Sequence, residues 1–319
     1  MLNLFKIAVN AFRESVREPI YILMLLAGLF LIGHFPSIAI FVFFEQIKMV
    51  VDSSMATGLI FSIVVAVLCA SYTISREMRN GTVLLLLSKP VQRWSFVLGK
   101  ILGVSAAAFL FTAICNLGTV VSIYIAVDQF RFDMALYYGF LGALLLGCVI
   151  GMLFNFWRGS AFSEITAYAV AALMLLLVGY CRLFQPTPQA DTTNIIRALL
   201  AIDMAVVIMS TIAVSTAIHF DVVPNLCVCT VVFFLGLISN HLFGKPTDWE
   251  ALNVLFAAIY AILPNWQFFW LADALATHKS IPNAYLLNCA VYTLLYAVTM
   301  AAWGVATFQN REVAGGSRK

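Results

Sequence analysis

Ionisable side chains are scarce in this sequence, so their positions carry most of its chemical information. Asp203 lies inside an apolar run, eight residues beyond Ile195 and six beyond Arg197. An aspartate at the centre of a membrane helix costs about 2.5–3.5 kcal/mol on insertion scales, so it needs water or a protein partner. It is either a contact in a transport pathway or one end of a helix–helix hydrogen bond. The residues favour the second, because nothing in the sequence signals a cationic substrate. The stretch Ile74–Lys100, ISREMRNGTVLLLLSKPVQRWSFVLGK, gathers Arg76, Glu77, Arg79, Lys89, Arg93 and Lys100 around the apolar run Val83–Leu87. A basic loop that only fixed topology would account for Arg76, Arg79 and Arg93 but not for that run. An amphipathic helix could press the run against a protein while Glu77 and the arginines make polar contacts. Gly81 would end or bend such a helix, and Lys89-Pro90 would stop it.

Other chemistries lack their residues. Gly99-Lys100 has no upstream glycine to complete a phosphate loop, and neither H-E-x-x-H nor G-x-S-x-G occurs. His34, His219, His241 and His278 fall singly in different segments. The seven cysteines, Cys69, Cys115, Cys148, Cys181, Cys227, Cys229 and Cys289, lie within or at the ends of apolar runs, where cysteine behaves as a small hydrophobe. Cys227-x-Cys229 has the wrong spacing for zinc. The expectation is a chain that is no enzyme and binds no cofactor, metal or nucleic acid.

The elements that position these residues are membrane helices. Of 319 residues, 63% are hydrophobic and 10% charged, against roughly a quarter charged in soluble domains. In lipid every backbone polar group must be paired internally, which leaves helices or closed barrels. Apolar runs of more than about twenty residues select helices. Residues 2–18 read as an amphipathic interface helix, with Phe5, Ala8, Val9, Phe12 and Val16 on one side and Lys6, Arg13, Glu14, Arg17 and Glu18 facing elsewhere. Pro19 suits the first turn of a new helix. Eight spans are predicted, at about 20–44, 54–75, 96–127, 134–156, 161–183, 195–217, 222–242 and 284–308. The third exceeds the bilayer, so its first turns, with Lys100, should project into the cytoplasm. Residues 244–283 are too interrupted for a comfortable span: Thr247 and Glu250 have capping-box spacing, a helix from Trp249 to Leu263 breaks at Pro264, and Trp266–Ala276 resumes. They read as outer-face re-entrant helices, with Trp249, Trp266 and Trp270 in an interfacial belt. A broken ninth span is the competing reading.

With a cytoplasmic N-terminus, the inner segments hold Lys6, Arg13, Arg17, Arg76, Arg79, Lys89, Arg93, Lys100, Arg158, Arg311, Arg318 and Lys319. The outer ones hold Lys48, Arg131, Arg182, Arg197, Lys245 and Lys279. This bias places both termini inside.

The order E-x-x-x-G-T-x-x-x-L-L-S-K-P-V-x-R-x-x-x-x-x-G-K, Glu77 to Lys100, resembles the first cytoplasmic link of type-2 ABC exporter permeases. The branch to which it is most similar is the permease of nitrous-oxide-reductase maturation systems. AFRESVREP, MSTIAVST, LPNWQFFWLADAL and FQNREV agree with the family in kind. The resemblance implies one all-α permease domain over 1–319, working as a homo- or heterodimer in the bacterial cytoplasmic membrane. Each copy would rest on a cytoplasmic ABC ATP-binding subunit that consumes the ATP. It further implies that segment 76–95 is the coupling helix, with Glu77, Arg76, Gly81, Thr82, Lys89, Pro90 and Arg93 at the contact. The family's usual six spans would make the fourth and fifth here an added pair. A membrane anchor that holds a soluble partner without transport is the alternative.

Overall fold

The computed structural model describes residues 2–40, 42, 45–79, 92–126, 131, 133–186, 191–243, 250–277 and 279–310. The helices are α1 (Leu2–Arg17), α2 (Pro19–Ala39), α3 (Gln46–Arg79), α4 (Arg93–Ile125), α5 (Met134–Arg158), α6 (Phe162–Phe184), α7 (Thr192–Ala217), α8 (Val222–Phe243), α9 (Glu250–Ile262), α10 (Ala272–Ala276) and α11 (Asn283–Asn310), with one 3-10 turn at Trp266–Phe268. No strand occurs among the described residues. Eight helices, α2 to α8 and α11, are long and apolar enough to cross a membrane. The chain is a multi-pass, all-helical membrane protein.

The eight expected spans are all present, with shifted ends. Pro19 takes the first turn of α2, and Pro36 stays within that helix, which ends at Ala39. The second span begins at Gln46, so α3 carries Lys48 and Asp52 in its first turns. At 34 residues α3 is about 50 Å long, and α4 nearly matches it. Both outreach a hydrocarbon core of about 30 Å.

Local chemistry fixes several helix ends. Asp133 caps α5 by accepting from the Leu136 amide, and Asp191 caps α7 by accepting from Thr193 and Asn194. Gly159 closes α5 at φ 63°, a left-handed conformation that suits glycine. The α5–α6 turn is thereby tight, and the Asn155 side chain donates to the Ser160 carbonyl across it at 2.7 Å.

The core centres on α4 and α7. Helix α7 is almost wholly enclosed, packed by α3, α4, α8 and α11. Helix α4 touches α1, α2, α3, α6, α7 and α11. The α5–α6 hairpin rides on one side against α1, α2 and α4, with most of its surface outward. Within the hairpin, Gly151 lies against Thr166 and Phe162, and Gly147 against Val170.

Residues 250–277 hold no helix long enough to cross a membrane alone. Helix α9, at 13 residues, reaches about 20 Å, and it packs on α8. Thr247 and Trp249 lie outside the described residues. The belt expected of the tryptophans fails at Trp266, which is 2% exposed. Its indole packs on Gly236 of α8 and 6.0 Å from the Phe233 ring. Arg197 Nη1 donates to the Ile281 carbonyl (2.9 Å), and Asn194 accepts from the Ile281 amide (3.1 Å), pinning the approach to α11 onto α7.

Helix α1 forms where the amphipathic helix was expected, and it also packs on the bundle. It does not simply float on the membrane surface but docks along α4, where Gly99 and Gly103 supply a one-turn groove. A Cβ on Gly99 would meet the Ile7 side chain at 2.7 Å, and one on Gly103 the Ala11 Cβ at 2.6 Å and the Ala8 carbonyl. This is the close backbone approach that small-xxx-small spacing permits. Gly103→Val should therefore lower folded yield and thermal stability sharply. Gly58→Ala, whose added Cβ meets nothing closer than Cys115 at 3.7 Å, should be nearly neutral in the same melting assay.

Candidate functional site

The polar groups gather at the end of the bundle that carries α1. There α3 finishes, α4 begins, and the two flank residues 80–91. Docking α1 in the Gly99–Gly103 groove brings Glu14 over α4, and the last turns of α3 bring Glu77 from the other side. Lys100 stands between them. Its Nζ lies 3.2 Å from Glu14 Oε2 and 2.8 Å from Glu77 Oε1, with the lysine side chain only 3% exposed. The Phe96 ring lies 5.9 Å from the ammonium and itself stacks on Phe308 of α11. Lys100 thus turns inward under α1 instead of projecting into solvent, because two carboxylates wait there. Glu14 likewise faces the bundle, against the expectation that it faces away from the packed side.

A second ring of ion pairs surrounds this trio. Glu18, buried at the α1–α2 junction, accepts from Arg76 at 2.8 Å. Arg17 Nε reaches Glu164 of α6 at 2.6 Å, tying the α5–α6 hairpin to α1. Arg93 Nη1 donates to the Gln309 carbonyl at 2.9 Å, joining the start of α4 to the end of α11. The sequence-predicted residues Arg76, Glu77 and Arg93 therefore meet at one bundle end, each held by a partner from another helix. Gly81, Thr82, Lys89, Pro90 and the run Val83–Leu87 lie outside the described residues. Glu14, Glu18 and Glu164 were not singled out as site residues by sequence reasoning. Glu164 lies in the first turn of α6, whereas Glu14 sits in the last turn of α1 and Glu18 just before α2.

Removing one member of a buried ion pair costs about 3–5 kcal/mol, because the other charge is left uncompensated. The trio holds two carboxylates for one ammonium, so its stability is asymmetric. Loss of either glutamate leaves Lys100 a partner; loss of Lys100 leaves two like charges facing one another.

Asp203 stands apart from this end, near the middle of α7 and 4% exposed. Asn116 of α4 donates to its Oδ1 at 3.1 Å and to the Leu199 carbonyl at 3.3 Å. Arg197 is engaged elsewhere, with Asn194 and Ile281. Asn116 was missed; a lone amide inside the third apolar run was the available signal. Further polar links stitch the same core. Ser105 and Ser210 share a 2.7 Å hydrogen bond between α4 and α7, and Asn225 of α8 donates to Ser71 of α3 at 2.8 Å. Buried side-chain hydrogen bonds of this kind hold membrane helices together where lipid removes the hydrophobic drive. Among the described residues no group of His, Cys, Asp and Glu could hold a metal ion.

Residues 16–167 match the model of a family described as ABC-2 family transporter protein. The matched stretch runs from the end of α1 into the first turns of α6, and it contains Glu18, Arg76, Glu77, Arg93 and Lys100 but neither Glu14 nor Asp203. No curated protein and no solved structure matches the chain.

Two outcomes follow from these geometries. Lys100→Met should cost about 3 kcal/mol of stability, read as a lowered melting temperature in detergent, and adding Glu77→Gln should restore part of it. Asp203→Asn, which can still accept from Asn116, should keep folded yield near wild type, whereas Asp203→Leu should depress it. A normal yield for Asp203→Leu would show that the α4–α7 hydrogen bond contributes nothing.

Proposed function

We propose that this chain is the membrane-spanning permease subunit of an ATP-driven ABC exporter, paired with a second permease copy and driven by a separate cytoplasmic ATP-binding subunit. The observation that carries the reading is the family match over residues 16–167, within which the Glu77–Lys100 link falls. The likeness of that link to nitrous-oxide-reductase maturation permeases supports the finer branch. The charge bias of the sequence supports a cytoplasmic α1 end.

In this reading the segment 76–95 seats on the ATP-binding subunit, with Glu77, Arg76, Gly81, Thr82, Lys89, Pro90 and Arg93 at or beside the contact. Closure of the ATP-binding subunits pushes the link. The push enters α3 through Glu77 and α4 through Arg93, and both helices run the full depth of the bundle. The Lys100 trio makes α1 move with them, and Arg17–Glu164 extends the motion to the α5–α6 hairpin. A displacement at one end thus becomes a rigid-body tilt of the α1–α3–α4 unit, the kind of rocking that alternates access in packed helical proteins.

The chain itself needs no nucleophile, metal or nucleotide for this role. Glu77→Ala leaves Lys100 paired with Glu14, so the permease should fold at normal abundance. Co-expressed with an ABC ATP-binding subunit that wild type retains, the variant should retain the partner poorly or fail to stimulate its ATP hydrolysis. Unchanged retention and stimulation in Glu77→Ala would remove the link from the coupling contact. A partner that binds but never hydrolyses ATP with any form of the chain would instead favour a membrane anchor.

A further inference from the structure

Helix α1 presents three faces: one fills the α4 groove, one is apolar and only partly covered, and one is exposed except where Arg17 meets Glu164. Leu4, Ile7, Ala8 and Ala11 fill the α4 groove, with Glu14 on Lys100 at its edge. The second face is apolar; it opens outward at Phe5, 69% exposed, and closes on the core at Phe12 and Val16. The third holds Lys6, Asn10, Arg13 and Arg17 at i, i+4, i+7 and i+11, one stripe along the helix, and all four are exposed. Among the described residues neither Lys6 nor Arg13 has an acidic partner within ion-pair distance. Arg17 spends its Nε on Glu164 and still has a side chain 54% exposed.

The stripe does not end at α1. Tyr168 lies one turn beyond Glu164, the partner of Arg17, on α6 and is 38% exposed. The neighbouring hairpin end carries Phe156 and Trp157, 84% and 75% exposed. Aromatic side chains of this kind sit at the level of lipid headgroups. An apolar face, a basic stripe beside it and an aromatic rim at one height are the requirements of a helix lying in the interface against anionic lipid.

We propose that the Lys6–Arg13–Arg17 stripe, closed at one end by Tyr168, is a binding site for the phosphate headgroups of anionic phospholipids in the leaflet at the α1 end. Lys6 and Arg13 supply the unpaired charge. Tyr168 supplies a hydroxyl that can donate to a phosphate oxygen, and Phe5 sinks among the acyl chains below. A soluble protein partner would match the charges but would give Phe5 no reason to be open. The site requires only a bilayer around α1, so it stands whether or not the chain couples to an ATP-binding subunit.

The test uses the full-length chain in nanodiscs of equimolar phosphatidylcholine and phosphatidylglycerol, released into native mass spectrometry to count retained lipid. Wild type should retain phosphatidylglycerol preferentially. The double variant Lys6→Gln with Arg13→Gln should cut that preference about thirtyfold, in keeping with the contribution of each basic residue beside an anionic leaflet. Glutamine forms helix as readily as lysine or arginine, so its melting temperature should match wild type. Lys48→Gln, an exposed cation at the other end of the bundle, should leave the preference unchanged. Equal retention of both lipids by wild type, or an undiminished preference in the double variant, overturns the site. If the double variant keeps its lipid preference and instead loses an ATP-binding subunit in purely phosphatidylcholine discs, the stripe is a protein contact and the proposal falls.

Discussion

The buried ammonium of Lys100 is the charge around which one end of this molecule is arranged. Taking a cation out of water costs several kcal/mol unless opposite charges meet it, and here two carboxylates do, from helices far apart in sequence. Glu14 arrives because α1 folds back along α4, and Glu77 because α3 runs on past the bilayer. Each contact makes the position of one helix depend on the other two. The Gly99–Gly103 groove makes the arrangement possible, since any larger residue there would hold α1 too far off for Glu14 to reach Lys100. Packing and electrostatics are therefore one design at this end, not two.

From that junction the ion pairs spread outward in order. Glu18 holds Arg76, Arg17 holds Glu164, and Arg93 holds the end of α11. The opposite end of the bundle relies more on caps and hydrogen bonds, such as those of Asp191, Asn194 and Arg197 with the Ile281 backbone, beside the pair Lys48–Glu45. The middle relies on single polar contacts between α3, α4, α7 and α8. Most of the ion pairs among the described residues thus sit at the α1 end, while amides and hydroxyls join the helices elsewhere.

The spans were legible because lipid imposes a length and a composition that no other environment would explain. All eight apolar runs became helices, and Pro19 marked a helix start as its fixed φ dictates. What remained hidden depended on where a distant segment lands. Lys100 read as a lysine on a projecting helix because nothing local says that α1, 86 residues earlier at Glu14, will cover it. Gly99 was visible as half of a failed phosphate loop, while its pairing with Gly103 as a helix groove was the meaningful spacing. Trp266 read as an interfacial belt residue, yet Gly236 on α8 opens a seat that buries it. The aspartate in the sixth span was found, but its partner Asn116 was not, since an amide in a long apolar run gives no indication of which helix it will face.

The proposal that Glu77 and Lys100 act together in coupling is tested most directly by a double-mutant cycle between them. The variants Glu77→Gln, Lys100→Gln and the pair are compared for stimulation of ATP hydrolysis in the co-expressed ATP-binding subunit. Residues that act as one unit give strongly non-additive effects, so the double variant should lose hardly more stimulation than the worse single one. Losses that multiply independently would mean that Glu77 and Lys100 act separately, and the junction would then be a structural pairing with no part in coupling.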